Sequence, residues 1–217
     1  MAAAGPSVPA PQGRTALLGV LDLARQRGLL GPGPAETHVR HALGFAEAAG
    51  GPPEGLALDL GSGGGIPGLV LAVEWPSSRW VLLDGRARST RFLAEAVARL
   101  GLEERVRVVE ARAEVAAHDG GFRGSVRLVV ARALGIPAVT AECAAGFLAP
   151  GGRLVVSEPP GSSGSRWNPT ALAELGLDPA AVVEGAGGYR YAVLQQLVQC
   201  PARYPRRVGV PAKRPLF

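Results

Sequence analysis

The chain carries one segment suited to binding a nucleotide-like ligand: Asp59-Leu60-Gly61-Ser62-Gly63-Gly64-Gly65-Ile66-Pro67-Gly68, with Asp84 at the end of the next apolar run. A short apolar stretch precedes the glycines and a helical pattern follows them. The loop therefore joins a strand to a helix. Glycine at Gly61, Gly63 and Gly65 lets the backbone turn tightly and lets a ligand approach where a Cβ would stand in the way. A carboxylate at the position of Asp84 can accept hydrogen bonds from ribose hydroxyls.

Gly63-x-Gly65-x-x-Gly68 also fits a dinucleotide fingerprint. Three features favour S-adenosylmethionine. Asp59 precedes the first glycine and can meet the amino group of a methionine moiety. Pro67 has no N–H to offer a pyrophosphate. The chain ends in a hairpin pattern, where a dinucleotide fold would add parallel strands.

Two further clusters follow later apolar runs. Arg112-Ala113-Glu114 is expected on the adenine side of the same crevice, where a backbone N–H and an acid can read a base edge; the plain alternative is a helix first turn with Glu114 favouring the dipole. Arg132, in Ala131-Arg132-Ala133, faces the reaction site as a group for a base or a phosphate, or else pairs with an acid such as Glu158.

Other chemistries lack their residues. Amino methylation calls for an Asn/Asp-Pro-Pro-aromatic run where Ala131-Arg132-Ala133-Leu134 stands. Pyrimidine C5 methylation needs a thiol nucleophile. Cys143 falls in mid-helix and Cys200 beyond the hairpin, so both read as buried small apolar residues. His38, His41 and His118 have no ligand spacing, and no metal site is expected. A transfer that needs no strong base remains. Guanine N7 carries a lone pair without deprotonation, so positioning and electrostatics would suffice.

These residues need a scaffold. The pattern predicts helices over 15–27 and 36–49, then strand 56–60, helix 67–74, strand 80–84, helix 87–100, strand 106–110, strand 126–131, helix 138–148 and strand 153–157. A short helix over 168–175 and strands 180–184 and 190–199 around a glycine turn complete it. Strands alternating with helices indicate a parallel α/β sheet, here ending in an antiparallel hairpin.

The chain has 217 residues, of which 47% are hydrophobic and 19% charged. That excludes wholesale disorder. No apolar run reaches the length of about 18 residues needed to span a bilayer. No secretory signal is evident, two cysteines make no disulfide framework, and a cytoplasmic monomer is expected. The reading divides the chain into a disordered tail (1–13), a helical cap (14–52), a catalytic domain (53–202) and a basic tail (203–217). The last fifteen residues carry the whole net charge of +5: Arg203, Arg206, Arg207, Lys213 and Arg214 meet no acid there. Pro205, Pro211 and Pro215 are expected to keep this tail extended toward RNA phosphates.

With these motifs assembled, the chain resembles the RsmG family, also called glucose-inhibited division protein B. The likeness rests on Arg40-His41, the Ile66-Pro67-Gly68 form of the loop, and Leu82-Leu83-Asp84 with Arg88, Arg91, Phe92 and Leu93. It also rests on Arg112-Ala113-Glu114, on Ala131-Arg132-Ala133, and on the terminal Tyr204-Pro205-Arg206-Arg207 and Lys213-Arg214-Pro215-Leu216. The resemblance implies a Rossmann-like class I S-adenosylmethionine-dependent methyltransferase with N-terminal capping helices, acting on guanine N7 of 16S rRNA in the small ribosomal subunit. It implies that Gly61 and Ile66 line the cofactor, that Ala113 and Glu114 hold its adenine, and that Arg132 closes the site. Ser157-Glu158-Pro159-Pro160 stands where the family usually has Lys-Gly. Two alternatives stay open: a divergent methyltransferase on another RNA or a small molecule, and a non-catalytic RNA-binding member.

Overall fold

A computed structural model describes residues 11–217. Most of the expected N-terminal tail lies outside the described residues; the first helix begins at Pro11.

The elements follow in order: α1 (Pro11–Gln26), α2 (Ala35–Ala49), β1 (Leu56–Leu60), α3 (Gly68–Glu74), β2 (Arg79–Asp84), α4 (Ala87–Arg99), β3 (Val106–Glu110) and α5 (Ala113–Ala116). Then come β4 (Val126–Ala131), α6 (Pro137–Ala145), β5 (Leu148–Glu158), α7 (Pro169–Glu174), β6 (Ala181–Glu184), β7 (Arg190–Gln195) and α8 (Val210–Lys213). One seven-stranded sheet runs β3-β2-β1-β4-β5-β7-β6. The pairs from β3 to β5 are parallel, and β7 is antiparallel to both β5 and β6. The expected class I architecture with its antiparallel end is therefore present.

The sheet is buried on both faces, as a parallel sheet requires. Alternate residues of a strand point to opposite faces. On β2, Leu82 joins a core with Leu21, Phe45, Leu69 and Phe92 from α1–α4. Val81 and Leu83 join the other core, with Phe147 and Leu172. In α4 the buried residues Ser89, Thr90, Phe92, Leu93, Ala96 and Val97 recur at three- and four-residue spacing, the stripe that docks a helix onto a sheet. Gly50 ends α2 in a left-handed conformation, donating its N–H to carbonyls of the last turn.

Three details differ from the sequence expectation. β5 starts at Leu148, because Leu148 pairs with Val126 before an irregularity, and α6 ends correspondingly earlier. β7 ends at Gln195, and Gln196 turns away to bridge Leu177. The C-terminal segment is not an extended tail. Tyr204 and Pro205 are buried, α8 forms a helical turn, and the backbone is tied to the body by Arg123 and His118. A neighbouring body that offers an apolar slot and buried acids outweighs the extended bias of proline. Among the described residues, no helix is long and apolar enough to cross a membrane.

Candidate functional site

β1 pairs with β2 on one side and β4 on the other, so chain order reverses across it. Helices leave opposite faces at such a point and open a crevice beyond the strands' carboxyl ends. The loops after β1, β2, β3 and β4 meet there.

The glycine loop is fastened to β2. Gly61 and Ser62 donate their N–H groups to the Leu83 carbonyl at 2.8 and 3.0 Å. Asp84 holds the loop by its side chain. Its Oδ2 accepts the Gly63 N–H at 2.9 Å, and its Oδ1 accepts the Arg86 N–H at 2.9 Å. The Arg86 guanidinium lies 3.3 Å from the same Oδ1 and is 72% exposed. Arg86 Nη2 also reaches Oδ2 at 3.5 Å, so a ligand hydroxyl would take the place of the exposed guanidinium on these oxygens. Gly61 has φ +77, and a Cβ there would stand 2.6 Å from Leu134. The left-handed backbone is what favours glycine here, since the end of the Leu134 side chain could turn aside.

Asp59 turns inward. It is 1% exposed, and its Oδ2 accepts the Gly68 N–H at 3.0 Å. It pins the start of α3 to β1. Its Oδ1 is buried without a hydrogen-bond partner. Burial pushes its pKa up to about 7, against the opposing Gly68 hydrogen bond.

A hollow of about 310 Å³ is lined by Gly61, Asp84, Ala113, Glu114, Leu134 and Cys143, among others. A second, of about 190 Å³, is lined by Gly31, Gly63, Ile66 and Arg132. Gly61, Arg86 and Ala133 line both, so the two are neighbouring compartments of one crevice. Gly65 lies in the loop itself with φ +90. The structure thus brings Gly61, Gly63, Ile66, Asp84, Ala113, Glu114 and Arg132 to one crevice, whereas Gly65 is buried behind it, where a Cβ would run into Leu69. Cys143 lines the larger hollow but is buried, and burial pushes its thiol up to about 12, so it offers no thiolate at neutral pH.

Arg132 sits at the end of β4, before Ala133, whose φ of +54 is strained for a residue with a Cβ. Its Nη2 donates to His38 Nδ1 at 3.3 Å, and His38 Nε2 donates to the Gly31 carbonyl at 3.2 Å. That pattern assigns His38 the neutral tautomer with hydrogen on Nε2. Burial, with Arg132 alongside, lowers the His38 pKa. Nη1 of Arg132 is buried without a hydrogen-bond partner. The salt bridge from Arg132 to Glu158 does not form. Glu158 instead accepts Trp167 Nε1–H at 3.1 Å and the Ser162 hydroxyl, with Arg166 at 3.7 Å. Its charge is turned into the fold, so it does not oppose a phosphate at the surface.

The C-terminal cations divide. Arg203, Arg207, Lys213 and Arg214 are exposed. Arg206 is bound to the fully buried Glu142, with Nη2 to Oε2 at 2.6 Å and Nε to Oε1 at 2.8 Å.

Sequence reasoning missed His38, Glu142 and Arg86. An acid in the otherwise apolar run Ala141-Glu142-Cys143-Ala144 is a signal for a buried cation partner. His38 carried no such signal, because its partner lies in a strand end distant in sequence.

A family model described as rRNA small subunit methyltransferase G matches residues 34–158. A protein named ribosomal RNA small subunit methyltransferase G from Parasynechococcus marenigrum (strain WH8102) is 37% identical over 173 residues, 74% of this chain and 67% of that protein. One of the same name from Dehalococcoides mccartyi (strain CBDB1) is 36% identical over 167 residues, covering 74% and 70%. Among solved structures, a SAM-dependent O-methyltransferase from Thermotoga maritima superposes with a TM-score of 0.61 at 14% identity, covering 84% of this chain and 72% of that one. An O-methyltransferase from Bacillus cereus in complex with SAH gives 0.57 at 16% identity, covering 83% and 89%. At such identities these structures speak for the fold.

Proposed function

Because the chain belongs to the rRNA small subunit methyltransferase G family, we propose that it transfers a methyl group from S-adenosylmethionine to guanine N7 of 16S rRNA. The observation that carries this reading is the meeting of the glycine loop, Asp84, Glu114 and Arg132 around one crevice at four consecutive parallel strand ends.

The residues present fit the cofactor. Asp84 fixes the loop through Gly63 and would accept ribose hydroxyls where the exposed Arg86 guanidinium now lies. Ala113 and Glu114 border the compartment in which an adenine would lie. Gly61 and Gly63 line the crevice with bare backbone, and Gly65 makes room for Leu69 of α3 behind the loop. Arg132 lines the smaller compartment, and its buried Nη1 has no hydrogen-bond partner in the protein.

Bound S-adenosylmethionine supplies an activated methyl, which a ring nitrogen lone pair accepts without losing a proton. The protein's work is therefore positioning. Arg132, held by neutral His38, orients the target base or its phosphate at the smaller compartment. The linker through Leu29 and Gly31 closes over the loop and limits water. No general base is needed, and His38 is already committed through both ring nitrogens. The exposed cations of the C-terminal segment meet RNA phosphates.

The test is direct. Purified protein and labelled S-adenosylmethionine are incubated with small subunits from a strain lacking the corresponding gene, and N7-methylguanosine is mapped in the 16S rRNA. The expected result is one methylated guanine that is absent without enzyme. Label in another RNA, or none at all, would overturn the reading.

A further inference from the structure

Residues 203–214 pass back across the body beside the crevice. Three contacts place them. Arg206 donates its backbone N–H to Glu142 Oε1 at 2.8 Å, besides its two guanidinium bonds to that carboxylate. Its Nη2 also donates to the Arg214 carbonyl at 2.7 Å, closing the segment into a loop around one guanidinium. Gly209, in a left-handed conformation at φ +78, donates its N–H to Glu114 Oε1 at 3.0 Å. Ala212 then lines the larger compartment directly.

Glu142 is fully buried. A buried carboxylate is tolerated only with a partner that satisfies its oxygens. Here that partner is Arg206, so the burial of Glu142 is explained by the segment it fastens. Glu114 is also buried, and Oε1 accepts from both Gly209 N–H and Arg112 Nη2, the latter at 3.2 Å. Its orientation is therefore set partly by the C-terminal segment.

We infer that residues 203–214 form a strap that completes the adenosine compartment, latched by Glu142 and Arg206, and that through Gly209 they orient Glu114 toward the adenine. The inference rests on the cofactor reading above. It gives Glu142 and Arg206 positioning roles: neither touches the ligand, and both act through Glu114 and Ala212. It also separates Arg206 from its neighbours in the basic segment, which remain free for RNA.

The experiment uses the full chain and S-adenosylhomocysteine. Hydrogen exchange is measured on the wild-type protein with and without it. Exchange of amides 207–214 slows about tenfold with ligand, while amides of the distant β6 edge are unchanged. A paired variant, Glu142→Gln with Arg206→Gln, removes both charges together and with them the guanidinium bonds of the latch. Calorimetry compares its affinity for S-adenosylhomocysteine with that for the inosine analogue, which lacks the 6-amino group. Wild type prefers the adenine ligand by about tenfold or more, and the variant loses most of that preference. A folded variant that weakens both ligands alike and leaves the ratio standing overturns the orienting role of the latch, since general loosening of the fold does the same. Should wild type bind S-adenosylhomocysteine while amides 207–214 exchange at the same rate with and without it, the strap is overturned and the cofactor reading stands. Absence of binding by folded wild type overturns the cofactor reading and the strap with it. If the paired variant does not fold, the exchange measurement on wild type still decides.

Discussion

Arg132 Nη2 lies 3.3 Å from His38 Nδ1, joining the end of β4 to the cap helix α2. Arg132 is thus held by an element that precedes the sheet. Two orienting bonds, one on each His38 ring nitrogen, fix the imidazole between Gly31 and Arg132. His41, Tyr189 and Tyr191 lie on the same side, with His41 and Tyr189 rings 4.5 Å apart.

This pair carries a pH prediction. His38 accepts from Arg132 only when neutral. Its pKa is lowered from 6.5 by burial and by Arg132, so the bond persists below the ordinary histidine range and fails on further acidification. Methyl transfer should then drop on an acid limb below pH 6.5. His38→Ala should lower kcat more than cofactor affinity, by an amount up to that of a charged hydrogen bond, about 1.5–3 kcal/mol. His38→Asn, which retains an acceptor that does not titrate, should restore part of the rate and flatten the limb. A His38→Asn profile with the wild-type acid limb would assign that limb to another group.

Much of the sheet can be read from residue order, because five apolar runs, four of them ended by a glycine or an acid and the fourth in order by Arg132, leave little choice of element. The loop, Asp84 and Glu114 follow from that pattern, since the parallel topology brings every strand's carboxyl end to one edge. What could not be read is long-range pairing. Nothing near Arg132 in sequence points to His38, and nothing near Arg206 points to Glu142. The charge count treated all five C-terminal cations alike, and only burial of Glu142 distinguishes Arg206. Proline content suggested an extended tail; burial of Tyr204 and its bond to Glu174 at 3.0 Å dock it instead.

Asp84 holds the loop through Gly63 and, on the proposed cofactor reading, also the ribose, so its removal should show twice. Asp84→Ala frees the Gly63 N–H and withdraws an acceptor from the ribose position. Loss of a charged hydrogen bond is worth about 1.5–3 kcal/mol, or roughly a tenfold to hundredfold weaker Kd for S-adenosylhomocysteine. Calorimetry on the folded variant measures it. An unchanged Kd would remove Asp84 from the cofactor site.

Asp59 gives a stability signature. In the unfolded chain it ionises near 3.8, and in the folded protein burial holds its proton to about 7. The folded state binds the extra proton throughout that window. The contribution of Asp59 to stability is therefore fullest below the unfolded pKa, declines as pH rises through the window, and is level above pH 7. Asp59→Asn keeps an acceptor for Gly68 and does not titrate. Its stability relative to wild type should grow between pH 4 and 7, by up to a few kcal/mol. Urea midpoints across that range test this, since other titrating groups cancel in the difference. A difference independent of pH would mean that Asp59 ionises alike in both states.

Gly64 marks where the cap meets the loop. A Cβ there would stand 2.8 Å from the Leu29 carbonyl oxygen and 2.7 Å from Leu30. Gly64→Ala must push the linker outward, at a cost of about 1–3 kcal/mol. Because Leu29 and Leu30 line the smaller compartment, turnover should fall with stability. Thermal melts and single-turnover methylation on one preparation check both, and an Ala variant matching wild type in each would show that the linker yields freely.

The last prediction concerns RNA affinity. Arg203, Arg207, Lys213 and Arg214 are exposed, whereas Arg206 is latched to Glu142. Phosphate contacts release counterions, with a logarithmic salt slope of about 0.7 per contact for single strands. Replacing the four exposed cations by glutamine should flatten the slope by up to about 3 and weaken binding evenly across RNA sequences. Cofactor affinity should stay within about threefold, because none of the four contacts Glu114 or Glu142 by a charged bond. Deleting the whole segment confounds the two effects, since it also removes Gly209 and Ala212 from the crevice. Filter binding of small-subunit RNA over a salt series, with calorimetry of the cofactor alongside, separates them. If the quadruple variant shows the wild-type slope, the phosphates are met elsewhere, and the exposed Arg86, Arg88 and Arg91 beside the crevice become the residues to replace.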